Sequence, residues 1–324
     1  MQIQDVFSIY KDDLQQVEKC ISDHATSEIK LIPEVSHHLI DSGGKRFRPL
    51  LLIISAGLCG YRGESRFAMA AVMEFIHTAT LLHDDVIDEA TMRRGKTSAN
   101  NIWGNAASVL VGDFLYSKSF ILMTSVENTA ILKLMSRVTN IMSEGEVFQL
   151  IKCGDVNMTE EEYFSIIEKK TAVLISAACA SGAILGSAPK EQIDALALFG
   201  RHIGMAFQIT DDVLDYTAKG KDFGKSLGKD LQEGKMTLPL ILALKQGGEE
   251  EKKIITDIIR SRKSSQKATR EIIRLIQKHH AIKASLQTAA GHIDEAKAQL
   301  SIFRNCPEKE HLISVADYIL SRNT

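Results

Sequence analysis

The chain is 324 residues long and 44% hydrophobic, with 39 Lys and Arg against 41 Asp and Glu and a formal charge of -2. This apolar content excludes a disordered or fibrous protein. The near balance of charge excludes a basic footprint spread over the whole molecule, so no nucleic-acid partner is expected. Five scattered cysteines form no C-x-x-C pair, which argues against a disulfide framework and against a zinc site. The opening MQIQDVFSIYKDDL is amphipathic and acidic and lacks a signal-peptide core, and no apolar run is expected to reach the roughly 18 residues of a membrane span. A cytoplasmic location is expected.

Apolar residues recur at three and four positions, prolines number only five, and strand-like alternation is nearly absent. That is the helix period, and it predicts an all-α chain. Residues 3–24 read as a first helix and Leu31 to Asp41 as a second, ended by Gly43-Gly44. Pro49 suits the first turn of a third, running to about Gly57. Ser65 to about His83 is a long apolar helix with Asp84, Asp85 and Asp88 on its C-terminal part. Residues 89–104 read as a loop with a short turn. Ala106 to Ser125 and Ala130 to about Lys152 are two more long helices. Thr159 to Glu162 looks like a capping box for the next, which breaks or continues near Lys170. Gln192 to about Tyr216 is a core helix, 219–234 a flexible loop, Met236 to Lys245 helix again, and 247–265 a charged surface excursion. The tail to 324 is helical. No composition shift marks a boundary, so a single domain, 1–324, is expected.

Two segments carry D-D-x-x-D: Asp84-Asp85-x-x-Asp88 and Asp211-Asp212-x-x-Asp215. On a helix, positions i and i+4 share a face, which pairs Asp84 with Asp88 and Asp211 with Asp215. Like charges inside apolar segments are costly unless a cation neutralises them, and oxygen-only ligands suit Mg²⁺ bridging to phosphates. Solvated helix ends would not explain the repeat. His83-Asp84 invites comparison with a histidine–aspartate phosphohydrolase, but that chemistry needs more converging histidines. The cations gather elsewhere: Lys45, Arg46 and Arg48 behind Gly43-Gly44, then Arg93-Arg94, Lys169-Lys170-Thr171, Lys225 and Lys235. Carboxylates that take a metal, with cations that take phosphate, point to a ligand carrying pyrophosphate clamped through Mg²⁺. A single deep cavity is needed for the two clusters to meet.

These residues resemble the trans-isoprenyl diphosphate synthases. The resemblance lies in GGKRFRP, LLHDDVIDEATMRRG, GEVFQL, EKKTA, FQITDDVLDY and GKSLGKDLQEGKMTLPL, in this order, and is weakest in the first 25 and last 80 residues. It is greatest to the long-chain enzymes that make octaprenyl-type diphosphates for quinone side chains. It implies a helical bundle of the isoprenoid synthase type around a deep central cavity, usually a homodimer, with three Mg²⁺ ions at the mouth. Asp84, Asp88, Asp211 and Asp215 would hold the metal, with Asp85 and Asp212 counted among the catalytic residues. Arg93, Lys170, Thr171, Gln208, Lys225 and Lys235 would contact the allylic diphosphate. Lys45, Arg48, His77 and Arg94 would contact isopentenyl diphosphate.

The resemblance further implies that an apolar product descends between helices. Ala79 and Thr80, just before Asp84, are small where short-chain relatives often place an aromatic plug. Ile76 lies ~12 Å below by helix rise, Phe75 is off the line, and Met123, Phe120, Ile121 and Met135 are candidates for the floor. A long all-trans product is expected, about 35 to 50 carbons with 40 favoured, stopped sterically because burial continues to favour growth at ~0.8 kcal/mol per CH₂. A geranylgeranyl-type short-chain enzyme and a non-catalytic prenyl-binding subunit stand as alternatives. A terpene cyclase would not need the GGKRFRP patch. Product release implies transient membrane contact, without a stable basic anchor.

Overall fold

The computed structural model describes residues 1–40, 42–217, 228–261 and 266–321, which are almost wholly helical. Two compact units divide the chain. The first comprises Met1–Ser136, Ala177–Ala197 and Phe303–Leu312; the second comprises Arg137–Ser176, Leu198–Ile302 and Ile313–Thr324.

The first unit opens with α1 (Ile3–Ile9) and α2 (Lys11–His24). One continuous helix was expected here. The chain turns instead at Tyr10, which is buried and whose hydroxyl pairs with His311 Nδ1 at 2.9 Å. There follow α3 (Leu31–Ile40), α4 (Phe47–Leu58) and α5 (Ser65–Ile87). Pro49 sits in the first turn of α4, where its missing N–H leaves no bond unmade. α5 is the axis of the unit, with α2, α4 and α7 (Asn105–Ser125) packed on it. Every residue from Met69 to Ile76 is buried, as expected of a helix surrounded by others. Gly112 of α7 provides the close approach to α5: a Cβ there would collide with the His83 ring and come within 3.3 Å of the Ala79 carbonyl oxygen.

The stretch expected as a loop holds more order than its polarity suggested. Met92–Arg93 (β1) and Lys96–Thr97 (β2) pair as an antiparallel hairpin, followed by α6 (Ala99–Trp103). Arg94 and Gly95 form the two-residue turn, both at positive φ, which matches the twist of a tight hairpin.

The second unit contains most of α8 (Thr129–Lys152), then α9 (Glu160–Ile167), a π-helical turn at Glu168–Ala172, the first residues of α10 (Val173–Leu185), and most of α11 (Lys190–Thr217). Beyond these lie α12 (Lys229–Gln232), α13 (Leu238–Gln246), α14 (Glu249–Ser261), α15 (Gln266–Lys278), α16 (Ala281–Gln299), a 3₁₀ turn and α17 (Pro307–Ser321). The capping box at α9 forms as read: Thr159 Oγ1 accepts from Glu162 N, and Glu162 accepts from Thr159 N. α13 is the hub, contacted by α9, α14, α15 and α16. The expected surface excursion contains α14, because Ile255 and Ile259, one turn apart among the charges, are buried.

One sequence expectation needs correction. α7 is long and apolar enough to cross a membrane by length and composition; Asp113 and Lys118 interrupt its apolar run and conceal this from a simple count. Here it packs along α5, with Val109, Leu110 and Ile121 exposed.

Candidate active site

In the first unit the arginines converge. Arg46 adopts the left-handed conformation at the start of α4. Its guanidinium is pinned between Glu18 of α2, through Nε and through Nη2 at 3.1 Å, and Glu74 of α5, through Nη1 at 3.0 Å. It also donates to the Ile40 carbonyl at 3.0 Å. Gly44 lies against a second guanidinium: a Cβ there would stand 3.0 Å from Arg94 Nη1 and 3.5 Å from Arg46 Nη1. A pocket forms here, lined by Leu39, Arg46, Glu74, His77, Thr78, Leu81, Arg93 and Arg94. Burial, and then the charges of Arg48, Arg94, Arg93 and Arg46, hold the His77 imidazole well below its usual range, so it is neutral at physiological pH. Burial also works against the charge of Arg48 and Arg94, while Glu74 supports both. The Arg48 Nε is buried without a hydrogen-bond partner, a donor awaiting an acceptor. Lys45 is exposed on the same loop.

The first aspartate motif closes α5, with Asp88 as its C-cap. Asp84 and Asp88 are half-buried. Asp85, turned away by one residue of helix, is fully buried and accepts from Arg93 Nε at 2.8 Å and from Nη2. The Asn100 amide binds its carbonyl at 3.0 Å. Asp85 thus anchors Arg93 on the hairpin. Its Oδ2 is left buried and unpaired. Along α5, Ile76 and Ala79 are buried and Thr80 is half-buried, its hydroxyl donating to the His77 carbonyl at 2.8 Å. Met123 of α7 and Met135 of α8 are buried, whereas Ile121 is 62% exposed and lines no interior floor.

In the second unit a polar relay surrounds the other motif. Thr171 Oγ1 donates to Gln208 Oε1 at 2.8 Å, and Gln208 Nε2 donates to Asp212 Oδ1 at 2.8 Å. The Tyr163 hydroxyl donates to Asp212 Oδ2 at 2.7 Å. Asp212 is buried, Asp211 exposed and Asp215 half-buried. Asp215 takes the backbone N–H groups of Lys229 and Asp230, both at 3.1 Å, at the start of α12. Lys170 Nζ donates to Glu146 at 2.7 Å, and Lys235 Nζ to Glu233 at 2.6 Å. Lys225 lies outside the described residues.

Lys170 and Thr171 stand on the π turn, which α8 and α11 approach closely. A Cβ at Gly145 of α8 would lie 2.7 Å from Lys169 Cβ and 3.1 Å from Lys170 N, and one at Gly204 of α11 would collide with Ala172. Two glycines make room for the wider coil, a feature frequent at functional sites.

The carboxylates test whether a cation fits. Burial, with the charges of Asp211 and Asp215 adding to it, pushes Asp212 up to about 7. Burial raises Asp215, and burial with the charges of Asp212 and Asp215 raises Asp230 well above the carboxylate range. Oxygen donors short of positive charge suit Mg²⁺. Among the described residues no three His, Cys, Asp or Glu side chains already stand around one point. This is consistent with a metal held by one or two carboxylates, waters and substrate phosphates rather than by a finished cage.

Sequence reasoning missed Tyr163, Glu74, Glu18, Glu146 and Asp230. Glu74 left one signal, an acid alone in the apolar run AAVMEFI; Tyr163 left none.

Helices carrying two Asp-rich motifs, with an arginine-lined pocket, define a class of diphosphate-handling α-helical enzymes. A polyprenyl synthetase family model matches residues 29–276, and the chain belongs to that family. It is a trans-prenyltransferase, a polyprenyl diphosphate synthase. It is 39% identical over 323 residues to the octaprenyl diphosphate synthase of Escherichia coli, covering 100% of both chains. A polyprenyl synthase of Caulobacter crescentus, solved with calcium and isoprenyl diphosphate, superposes with a TM-score of 0.95 at 39% identity, covering 100% of this chain and 98% of that one. A decaprenyl diphosphate synthase of Rhodobacter capsulatus gives 0.94 at 38%, covering 99% of each.

Proposed function

We propose that the chain condenses an allylic diphosphate such as farnesyl diphosphate with successive isopentenyl diphosphates, releasing pyrophosphate and making an all-trans chain of eight isoprene units. The observation that carries the long product is the pair Ala79 and Thr80, small residues in the turn before Asp84, with no ring at that level of α5. The two units, each interleaved in sequence with the other, act as one catalytic domain in this reading.

Asp84 and Asp88 of one motif, with Asp211 and Asp215 of the other, would hold Mg²⁺, three ions in this reading. Bound there, the metal would supply electrostatic stabilisation of the leaving pyrophosphate. Arg93, Lys170, Lys225 and Lys235 bind the allylic diphosphate. Thr171 and Gln208 orient it, and Asp85 keeps Arg93 aimed. Lys45, Arg48 and Arg94 bind isopentenyl diphosphate. Neutral His77 adds a hydrogen bond at no cost in charge. The allylic C1–O bond ionises, the isopentenyl double bond attacks C1, and a proton leaves to the released pyrophosphate as the trans double bond forms. No side-chain nucleophile is needed.

The exposed apolar face of α7, with Val109, Leu110 and Ile121, supports a homodimer. A cytoplasmic location with brief membrane contact at product release completes the proposal. Purified chain with Mg²⁺, farnesyl diphosphate and isopentenyl diphosphate tests it. Forty-carbon products are expected (~C40, eight units, each adding further CH₂ burial). A geranylgeranyl product would overturn the chain length, and no pyrophosphate release would overturn the reaction.

A further inference from the structure

We propose that Glu74 is a positioning residue of the isopentenyl diphosphate site, a resident carboxylate that keeps the guanidiniums of Arg46, Arg48 and Arg94 converged before the diphosphate arrives. This rests on the assignment of that pocket made above.

Glu74 is 6% exposed in the middle of α5, between the fully buried Met73 and Phe75. A carboxylate so placed is costly unless cations surround it. It stands one turn before His77 and therefore on the same face of the helix, where both line the pocket. Three arginines line it as well, Arg46, Arg93 and Arg94, and the charge of Arg48 bears on His77 together with theirs. Two have carboxylates elsewhere, Arg93 on Asp85 and Arg46 on Glu18. Glu74 takes Arg46 Nη1 at 3.0 Å and shares the pocket with Arg94, and its charge favours the charged forms of Arg48 and Arg94.

The need for a shared counter-ion follows from distance. Arg94 and Arg46 present Nη1 atoms 3.0 and 3.5 Å from one point above Gly44. Like charges this close repel strongly in a partly buried setting. Diphosphate recognition by guanidinium forks depends on their mutual alignment, so a cluster that splays when empty binds poorly. The orphaned Arg48 Nε is the atom such alignment would offer to a ligand oxygen.

The sign of the effect separates two roles. If Glu74 acted only as a negative charge near an anion, removing it would tighten diphosphate binding. If it positions the arginines, removing it weakens binding. Inorganic pyrophosphate titrated calorimetrically into the full chain, in buffer with chelator and no Mg²⁺, isolates the arginine pocket from the metal-dependent one. Glu74→Gln should weaken pyrophosphate about tenfold and raise KM for isopentenyl diphosphate to the same degree. KM for the allylic substrate should hold, and kcat should fall by less than about threefold. Glu74→Asp should recover most of the loss, and it carries the test if the glutamine variant does not fold. Equal or tighter pyrophosphate binding by Glu74→Gln overturns the proposal while leaving the pocket assignment standing. So does a uniform loss across both substrates and kcat that tracks a lowered Tm and is not relieved by Glu74→Asp. Failure of the unmutated chain to bind pyrophosphate at all would instead overturn the pocket assignment.

Discussion

Tyr163→Phe removes a single hydroxyl and should move the pH dependence of metal use. That hydroxyl donates to Asp212 Oδ2 at 2.7 Å inside the protein, and Asp212 already sits at about 7 because it is buried near Asp211 and Asp215. A hydrogen bond to a charged group contributes about 1.5–3 kcal/mol. At 1.36 kcal/mol per pKa unit, its loss should lift Asp212 by roughly one to two units, to about 8–9. Protonation of this carboxylate would then remove a negative charge beside Asp211 and Asp215, the proposed ligands, and weaken Mg²⁺ binding throughout the neutral range. Mg²⁺ activation curves between pH 6 and 9 are the assay. The variant should need about tenfold more Mg²⁺ at neutral pH and approach the parent as the pH rises. Superimposable curves at every pH would refute the link between the phenol, Asp212 and the metal.

Asp84→Ala and Asp211→Ala should each lower kcat by at least about a hundredfold with an unchanged helical circular dichroism spectrum; near-parental turnover in either would remove it from the metal site. Ala79→Phe should shorten the product as read by chain-length chromatography, and an unchanged product would show that the tail does not pass that level of α5. The metal-free protein should show a stability slope from Asp212. Its folded pKa is raised above 3.8, so its contribution is present below that value and lost as pH rises towards about 7. Relative to Asp212→Asn, the Tm of the parent should therefore fall between about pH 4 and 7, and Mg²⁺ should restore it; parallel melting profiles would contradict the raised carboxyl.

The long helices were legible because their apolar period is strong, and both aspartate motifs fall on helices as read, at the ends of α5 and α11. The hairpin at Met92–Thr97 was not, since two-residue strands carry no period and an Arg at positive φ in its turn leaves no sequence signal. Periodicity placed Asp84 and Asp88 on one face but could not say that Asp85 turns inward to hold Arg93. Tyr163 and Gln208 are 45 positions apart in the sequence and meet only through Asp212. Arg46 was visible as a cation, yet only packing shows its guanidinium held between Glu18 and Glu74.

The coil at Glu168–Ala172 makes its length matter as well as its residues. A single deletion within it would leave a more regular helix with its cap at Thr159 intact. Because the wide turn takes up one extra residue, the helices on either side would keep about their register and the side chains within the turn would be re-aimed. Lys170 or Thr171 would then leave its partner on Glu146 or Gln208. This stretch should therefore tolerate no change of spacing, so that one residue fewer, with every surrounding helix still formed, silences the enzyme.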